Sequence, residues 1–274
     1  GPFLFGVAVA KTIGQDIVAV DSITVMTLIA ALVSAIGWNL FAWYFAIPSS
    51  SSHALIGGLV GAVGISAGFG ALQVAGLAKV LLALFVSPVA GLIVGYLVTQ
   101  GVFYLARNAS LRINWFFKNA QIVTGMGLAL SHGANDSQKS MGIITLGLLV
   151  SGSISRFEVP SWTVLVCAGV IAVGAASGAW RLVRRLGAGF YKVRPVHGFC
   201  TQVASAGVVL TAALLGGPVS TTQVVSSAIM GVGSAERLKK VRWGVAGNIA
   251  TAWLLTIPAT ALLAALVYTL ISRL

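Results

Sequence analysis

Apolar positions along the chain gather into stretches at about 1–13, 23–46, 53–70, 77–106, 119–150, 160–180, 199–216, 221–233 and 243–272, with short polar breaks between them. None alternates with a period of two, and their lengths suit helices and not barrel strands. The pattern predicts an all-α, multi-spanning integral membrane protein. Two pairs of stretches are joined by a proline and a run of hydroxyls, Pro48-Ser-Ser-Ser-Ser-His53 and Pro218-Val-Ser-Thr-Thr-Gln223. These motifs stand 170 residues apart, and so do Pro88 and Pro258, each in the middle of a long apolar stretch. Lys11-Thr-Ile-Gly14 lies opposite Arg184-Arg-Leu-Gly187 at an offset of 173. A shared offset and a shared order of stretches read as a duplicated chain, two halves of one design.

Composition supports the membrane reading and charge gives it a direction. The chain is 58% hydrophobic and 8% charged, with a mean hydropathy of +0.98; a soluble domain carries about 25% charged residues. A formal net charge of +12 invites a nucleic-acid partner. The bases form no continuous face, however, and sit in short loops as the positive-inside rule expects. With the loops 107–118, 181–198 and 234–242 in the cytoplasm, that side holds Arg107, Arg112, Lys118, Arg181, Arg184, Arg185, Lys192, Arg194, Arg237, Lys239, Lys240 and Arg242. The other side receives only Lys11, Lys79, Arg156 and Arg273. The first half's loops at 14–22 and 68–78 then face outward while their counterparts face inward, so the repeat is inverted. Inverted repeats form substrate sites where the halves meet, near the bilayer midplane. Cys167 and Cys200 read as small core residues without metal-site spacing. Gly1 to Ala10 reads as the tail of a helix that begins further upstream, not as a signal peptide.

One stretch resists the apolar pattern. His132-Gly-Ala-Asn-Asp-Ser-Gln-Lys-Ser-Met-Gly142 places His132, Asn135, Asp136, Gln138 and Lys139 inside a segment otherwise fit to cross a bilayer. A carboxylate at the centre of a membrane helix costs about 2.5–3.5 kcal/mol on insertion scales, so its default meaning is a site for an ion or a polar substrate. The glycines and the Asn-Asp pair also suggest that the helix unwinds here and turns carbonyls inward. An ordinary polar turn is the bland alternative.

The hydroxyl motifs supply the complementary charge. Between the loops near 196 and 234 the chain enters and returns in under forty residues. Arms of about 16 residues reach about 24 Å, short of a crossing of about 30 Å. Two short spans or a re-entrant hairpin both fit, and a hairpin puts its Ser220-Thr-Thr222 tip inside the membrane; the first half's arms read as longer. A tip of Ser50-Ser-Ser52 facing Ser220-Thr-Thr222 offers six hydroxyls and two helix N-termini, which bind tetrahedral oxyanions. Plain N-capping is the competing reading. Asp136 would repel an oxyanion unless a cation bridges them or the anion carries a proton. Asn135, Gln138 and unwound carbonyls are the hard oxygen ligands an alkali cation prefers. Lys139 either attracts the anion or snorkels to the interface. His132 and His53 read as hydrogen-bonded structural residues beside a polar break.

The sequence resembles the PiT family of inorganic phosphate transporters over essentially its whole length. Gly133-Ala-Asn-Asp-Ser-Gln-Lys-Ser-Met-Gly142, Pro48-Ser-Ser-Ser-Ser-His53 and Pro218-Val-Ser-Thr-Thr-Gln223 carry the resemblance, with Gly1-Pro-Phe-Leu-Phe-Gly6 similar to the family's second helix. It implies an inverted-repeat membrane fold with interrupted helices and hairpins, a homodimer, and symport of inorganic phosphate with Na⁺ or H⁺ and no organic cofactor, in the cell membrane. It further implies that Ser50, Ser51, Ser52, Ser220, Thr221, Thr222 and Asp136 hold phosphate, and that Asn135, Asp136 and Gln138 serve the cation, with Na⁺ at Asn135 and Asp136. His132 and Lys139 fall beside this site. The family carries a Gly-x-Asn-Asp motif in each half; here the repeat places the first about forty residues before Gly1. Residues 1–106 are expected to form the first repeat, 107–118 a basic cytoplasmic linker and 119–274 the second repeat. Asp136→Asn is expected to abolish coupled uptake with folding intact. A sulfate or other oxyanion permease and a non-transporting receptor or scaffold are the alternatives; an intramembrane serine hydrolase lacks any residue placing a nucleophile against His132 or His53.

Overall fold

Thr24, Ser50 and Ser220 each turn a hydroxyl oxygen onto the helix they precede, accepting from the N–H of Thr27 at 3.2 Å, His53 at 3.2 Å and Gln223 at 3.4 Å. These caps set where the helices of both halves begin. The computed structural model describes residues 2–45, 47, 49–110, 112–178, 194–241 and 243–273. Its α-helices are α1 (Pro2–Phe5), α2 (Ala8–Lys11), α3 (Val25–Tyr44), α4 (Ser51–Ser66), α5 (Val74–Leu105), α6 (Ile113–Val150), α7 (Ser161–Gly178), α8 (Pro195–Leu214), α9 (Thr221–Glu236) and α10 (Trp243–Ile271). Among the described residues, four helices are long and apolar enough to cross a membrane: α3, α5, α8 and the 249–271 part of α10. The expected stretch at 1–13 divides at Gly6, which takes a positive φ of 77°, and α2 runs on into a π-helical turn, Thr12–Asp16.

The duplication is visible in element lengths. Helices α3 and α8 both have 20 residues and begin 170 apart; α4 and α9 both have 16 and again begin 170 apart. The arms of the first half are therefore no longer than those of the second, contrary to the sequence expectation. Packing crosses over between the halves: α4 lies on α10, and α9 lies on α5. The same glycine makes both crossings. A Cβ on Gly61 would stand 2.0 Å from the carbonyl oxygen of Ala261, and a Cβ on Gly231, 170 residues later, 2.0 Å from that of Leu92. Backbone thus meets backbone, as small residues allow between membrane helices. Pro88 and Pro258 sit inside α5 and α10, and the Ser87 hydroxyl donates to the Leu84 carbonyl, which a proline at 88 strips of its helical partner.

Helices α4 and α9 start against each other, as expected where the halves of an inverted repeat meet. Ser52 Oγ donates to the Val219 carbonyl at 3.0 Å, and His53 Nδ1 lies 3.3 Å from Gln223 Nε2, its own counterpart at an offset of 170. The same offset of 170 matches Thr24, Thr27 and Ser66 in one half to Arg194, His197 and Glu236 in the other. The first corner is closed by hydroxyls (Thr24–Thr27 at 3.0 Å, Thr27–Ser66 at 3.2 Å), the second by an ion pair from Glu236 to Arg194 at 2.5 Å and a contact to the His197 ring at 3.2 Å. Helix α6 begins at Ile113 and carries Lys118, so the second part of the stretch 107–118 is helical. Pro48, the Arg184-to-Gly187 match and the bases Arg181, Arg185, Lys192 and Arg242 lie outside the described residues.

Candidate transport site

Helix α6 is 38 residues long and runs unbroken through His132–Gly142. This corrects the expectation that the chain unwinds there, so no carbonyl of this stretch is freed. Packing explains the continuity. Asn135, Ser137, Gln138, Lys139, Met141 and Gly142 are all buried. A Cβ on Gly142 would come within 2.6 Å of the Ala10 carbonyl oxygen, so this turn is pressed against α2. The Ser137 hydroxyl donates to the Gly133 carbonyl within the helix. Polar side chains that project from a wound helix into protein, not into lipid, avoid the cost of breaking backbone hydrogen bonds at membrane depth.

Asp136 and Lys139 stand one turn apart and form an ion pair, Oδ1 to Nζ at 2.5 Å. The ammonium also donates to Ser52 Oγ at 2.6 Å and to the Val219 carbonyl at 2.6 Å. It therefore does not snorkel. It is clamped between the first turn of α4 and the residue just before the cap of α9, with only 5% of Lys139 exposed. Asp136 Oδ1 also accepts from Thr221 Oγ1 at 3.3 Å, and Oδ2 lies 3.0 Å from His132 Nδ1. Asn135 donates from Nδ2 to the Gly217 carbonyl at 3.1 Å, while its Oδ1 is buried without a hydrogen-bond partner.

The structure thus brings Asp136, Lys139, Ser52, Thr221 and Asn135 to one junction, with His132 at its edge. Ser50 and Ser220 are buried beside it as N-caps, and His53 is held by Ser50 Oγ at 2.7 Å. Ser50 and Ser220 thus act as caps, whereas Ser52 and Thr221 turn their hydroxyls to Lys139 and Asp136. Ser51 is exposed and Thr222 half-buried, so their side chains point elsewhere. Gln138 is placed differently from a cation ligand: its Oε1 accepts from the N–H groups of Val9 at 2.9 Å and Ala10 at 3.3 Å, tying α2 to α6. Gln138→Leu leaves those two donors without an acceptor and is expected to cost about 1–3 kcal/mol, read as a lower unfolding midpoint in detergent. Two members of the junction, the carbonyls of Gly217 and Val219, carry no side-chain signal. The His53–Gln223 contact was readable, since both close their hydroxyl motifs at the common offset.

The donor set can be tested against an alkali cation, which takes oxygen ligands. Asn135 Oδ1 suits one. Asp136 does not, because Oδ1 already accepts from Lys139 and Thr221 and the adjacent ammonium repels a second cation, and the Gln138 oxygen is spent on α2. Sodium at Asn135 and Asp136 together does not fit the residues as they stand.

Comparison with known proteins places this geometry in company. The model of the phosphate transporter family matches residues 1–117 and 105–264. A Rhizobium meliloti protein named "Probable low-affinity inorganic phosphate transporter" is 44% identical over 96% of this chain and 80% of its own length. A Bacillus subtilis protein of the same name is 40% identical over 95% of this chain and 79% of its own length. A solved structure titled "The sodium-dependent phosphate transporter" superposes with a TM-score of 0.87 at 24% identity, covering 99% of this chain and 86% of the other. These relatives are transporters and not enzymes, which sets the hydrolase reading aside.

Proposed function

Because the chain belongs to the phosphate transporter family, a family of multi-pass plasma-membrane proteins, we propose that it imports inorganic phosphate by symport with a cation, Na⁺ or H⁺, through alternating access of its inverted repeats. One observation carries the reading: the starts of α4 and α9 and the buried Lys139 ammonium converge on a single half-buried carboxylate. The partial positive charge of two helix N-termini and one full charge draw an oxyanion to the junction. Ser52 and Thr221 offer hydroxyls at the right place, Ser50 and Ser220 hold the two helix starts in position, and the first N–H groups at Ser51 and Thr221 complete the cradle. Asp136 tolerates the anion because Lys139 neutralises it and because phosphate at neutral pH still bears a proton that a carboxylate can accept a hydrogen bond from. Sulfate has no such proton. The likeness to the sodium-dependent transporter, at 24% identity, carries the fold and not its ion. A homodimer, which the resemblance implies, is part of the same proposal and is checked by cross-linking in native membranes.

The test is ³²P-phosphate uptake into proteoliposomes, with arsenate and sulfate as competitors. Uptake that follows an imposed cation gradient, and that arsenate but not sulfate inhibits, is the expected result. Folded protein that takes up no phosphate under any gradient overturns the reading in favour of another oxyanion or a non-transporting scaffold. Ser52→Ala and Thr221→Ala each remove one hydroxyl from the junction and are expected to raise half-saturating phosphate about tenfold, since a hydrogen bond to a charged group contributes about 1.5–3 kcal/mol. Ser52→Ala also takes an acceptor from the buried Lys139 ammonium and is expected to lower the unfolding midpoint as well.

A further inference from the structure

We propose that the Lys139 ammonium is a built-in counter-cation: it occupies the position beside Asp136 that a coupling sodium ion would take in this half of the site, and phosphate binds here without Na⁺. The inference rests on the phosphate reading above and adds to it which ion the site excludes. Three oxygens surround Nζ, each of a kind that a hard cation takes as ligand: the carboxylate of Asp136 at 2.5 Å, the hydroxyl of Ser52 at 2.6 Å and the peptide carbonyl of Val219 at 2.6 Å. An ammonium has three hydrogens, and three acceptors receive them. Lysine on a membrane helix ordinarily sends its charge to the interface along a flexible stem. Lys139 instead is buried, and a buried charge persists only where partners compensate it. Its acceptors come from α4, from the lead into α9 and from α6, so the ammonium bridges both halves as a bound ion at the repeat interface would. Being covalently tethered, it cannot leave with the substrate.

The test is ³²P-phosphate binding to the purified full chain in NaCl and in choline chloride at equal ionic strength, beside thermal unfolding in each salt without phosphate. Wild type is expected to bind phosphate with the same Kd in both salts, within about twofold, and to show no Na⁺-specific rise in midpoint. Lys139→Ala vacates the position and is expected to gain both responses, with phosphate bound at least about tenfold tighter in Na⁺ than in choline. The charge-neutral Asp136→Asn/Lys139→Met variant controls for folding and is expected to gain neither. A Na⁺-dependent wild type overturns the proposal. So does a folded Lys139→Ala variant with no Na⁺ response, and so does a response in the double variant, which would put the ion elsewhere. Should Lys139→Ala fail to fold, the wild-type comparison decides alone. Failure of the phosphate reading looks different: no phosphate bound in either salt, with the Na⁺ pattern in the unfolding midpoints still as expected.

Discussion

Asp136→Asn is expected to end phosphate uptake and also to destabilise the protein by about 3–5 kcal/mol, the usual cost of removing one partner from a buried ion pair. The second effect comes from Lys139. Without the carboxylate, its ammonium keeps only neutral acceptors, the Ser52 hydroxyl, the Val219 carbonyl and the new amide oxygen, in a place with little access to water. From the sequence alone this variant reads as one that folds normally. The structure changes that, because it shows the two charges in contact. The measurement is a thermal unfolding series in detergent beside uptake assays. Adding Lys139→Met to Asp136→Asn should return most of the lost stability and none of the transport. A single variant as stable as wild type would mean that the pair is solvated and of little structural weight.

Gly231→Val is expected to be the most damaging change away from the site. A Cβ at this position would lie 2.0 Å from the Leu92 carbonyl oxygen and 3.0 Å from the Tyr96 nitrogen, both backbone atoms of α5. Neither can swing aside as a side chain would, so α9 and α5 must separate along their contact. Overpacking of this kind costs about 1–3 kcal/mol or more. Because the start of α9 holds Thr221 and follows Val219, the separation also disturbs the junction. Gly101→Ala on α5 is the control: nothing stands within 4 Å of its Cβ position, and it should be neutral. The readout is the fraction of monodisperse protein recovered and its unfolding midpoint. Equal recovery of the two variants would argue that the crossing is loose.

Much of this was legible in the chain, and for a physical reason. The offset of 170 between the hydroxyl motifs holds for whole helices because a membrane helix must keep its length, so α3 and α8, and α4 and α9, stay matched residue for residue. Asp136 was legible as a site residue because nothing else justifies a carboxylate in that setting. The continuity of α6 was not. Gly133 and the Asn-Asp pair permit unwinding, but permission is local, whereas α2 packed on Gly142 and Gln138 decides the outcome from 130 residues away. The role of Gln138 was hidden for the same reason, since its partners are backbone N–H groups that no side-chain pattern announces. Lys139 was ambiguous until the carbonyl of Val219 was placed beside it.

The crossing of the two halves has a consequence for synthesis. Helix α4 finds its close partner in α10, where Gly61 meets Ala261, 200 residues further along the chain. At a translation rate of about 5–20 residues per second, that partner emerges roughly 10–40 seconds after α4 itself. For most of that interval, until about 170 further residues have been made, the hydroxyls and histidine at the start of α4 lack Val219 and Gln223, which also belong to the second half. The first half must therefore wait beside the insertion machinery as an unfinished surface, and its assembly is a late, long-range event of high contact order.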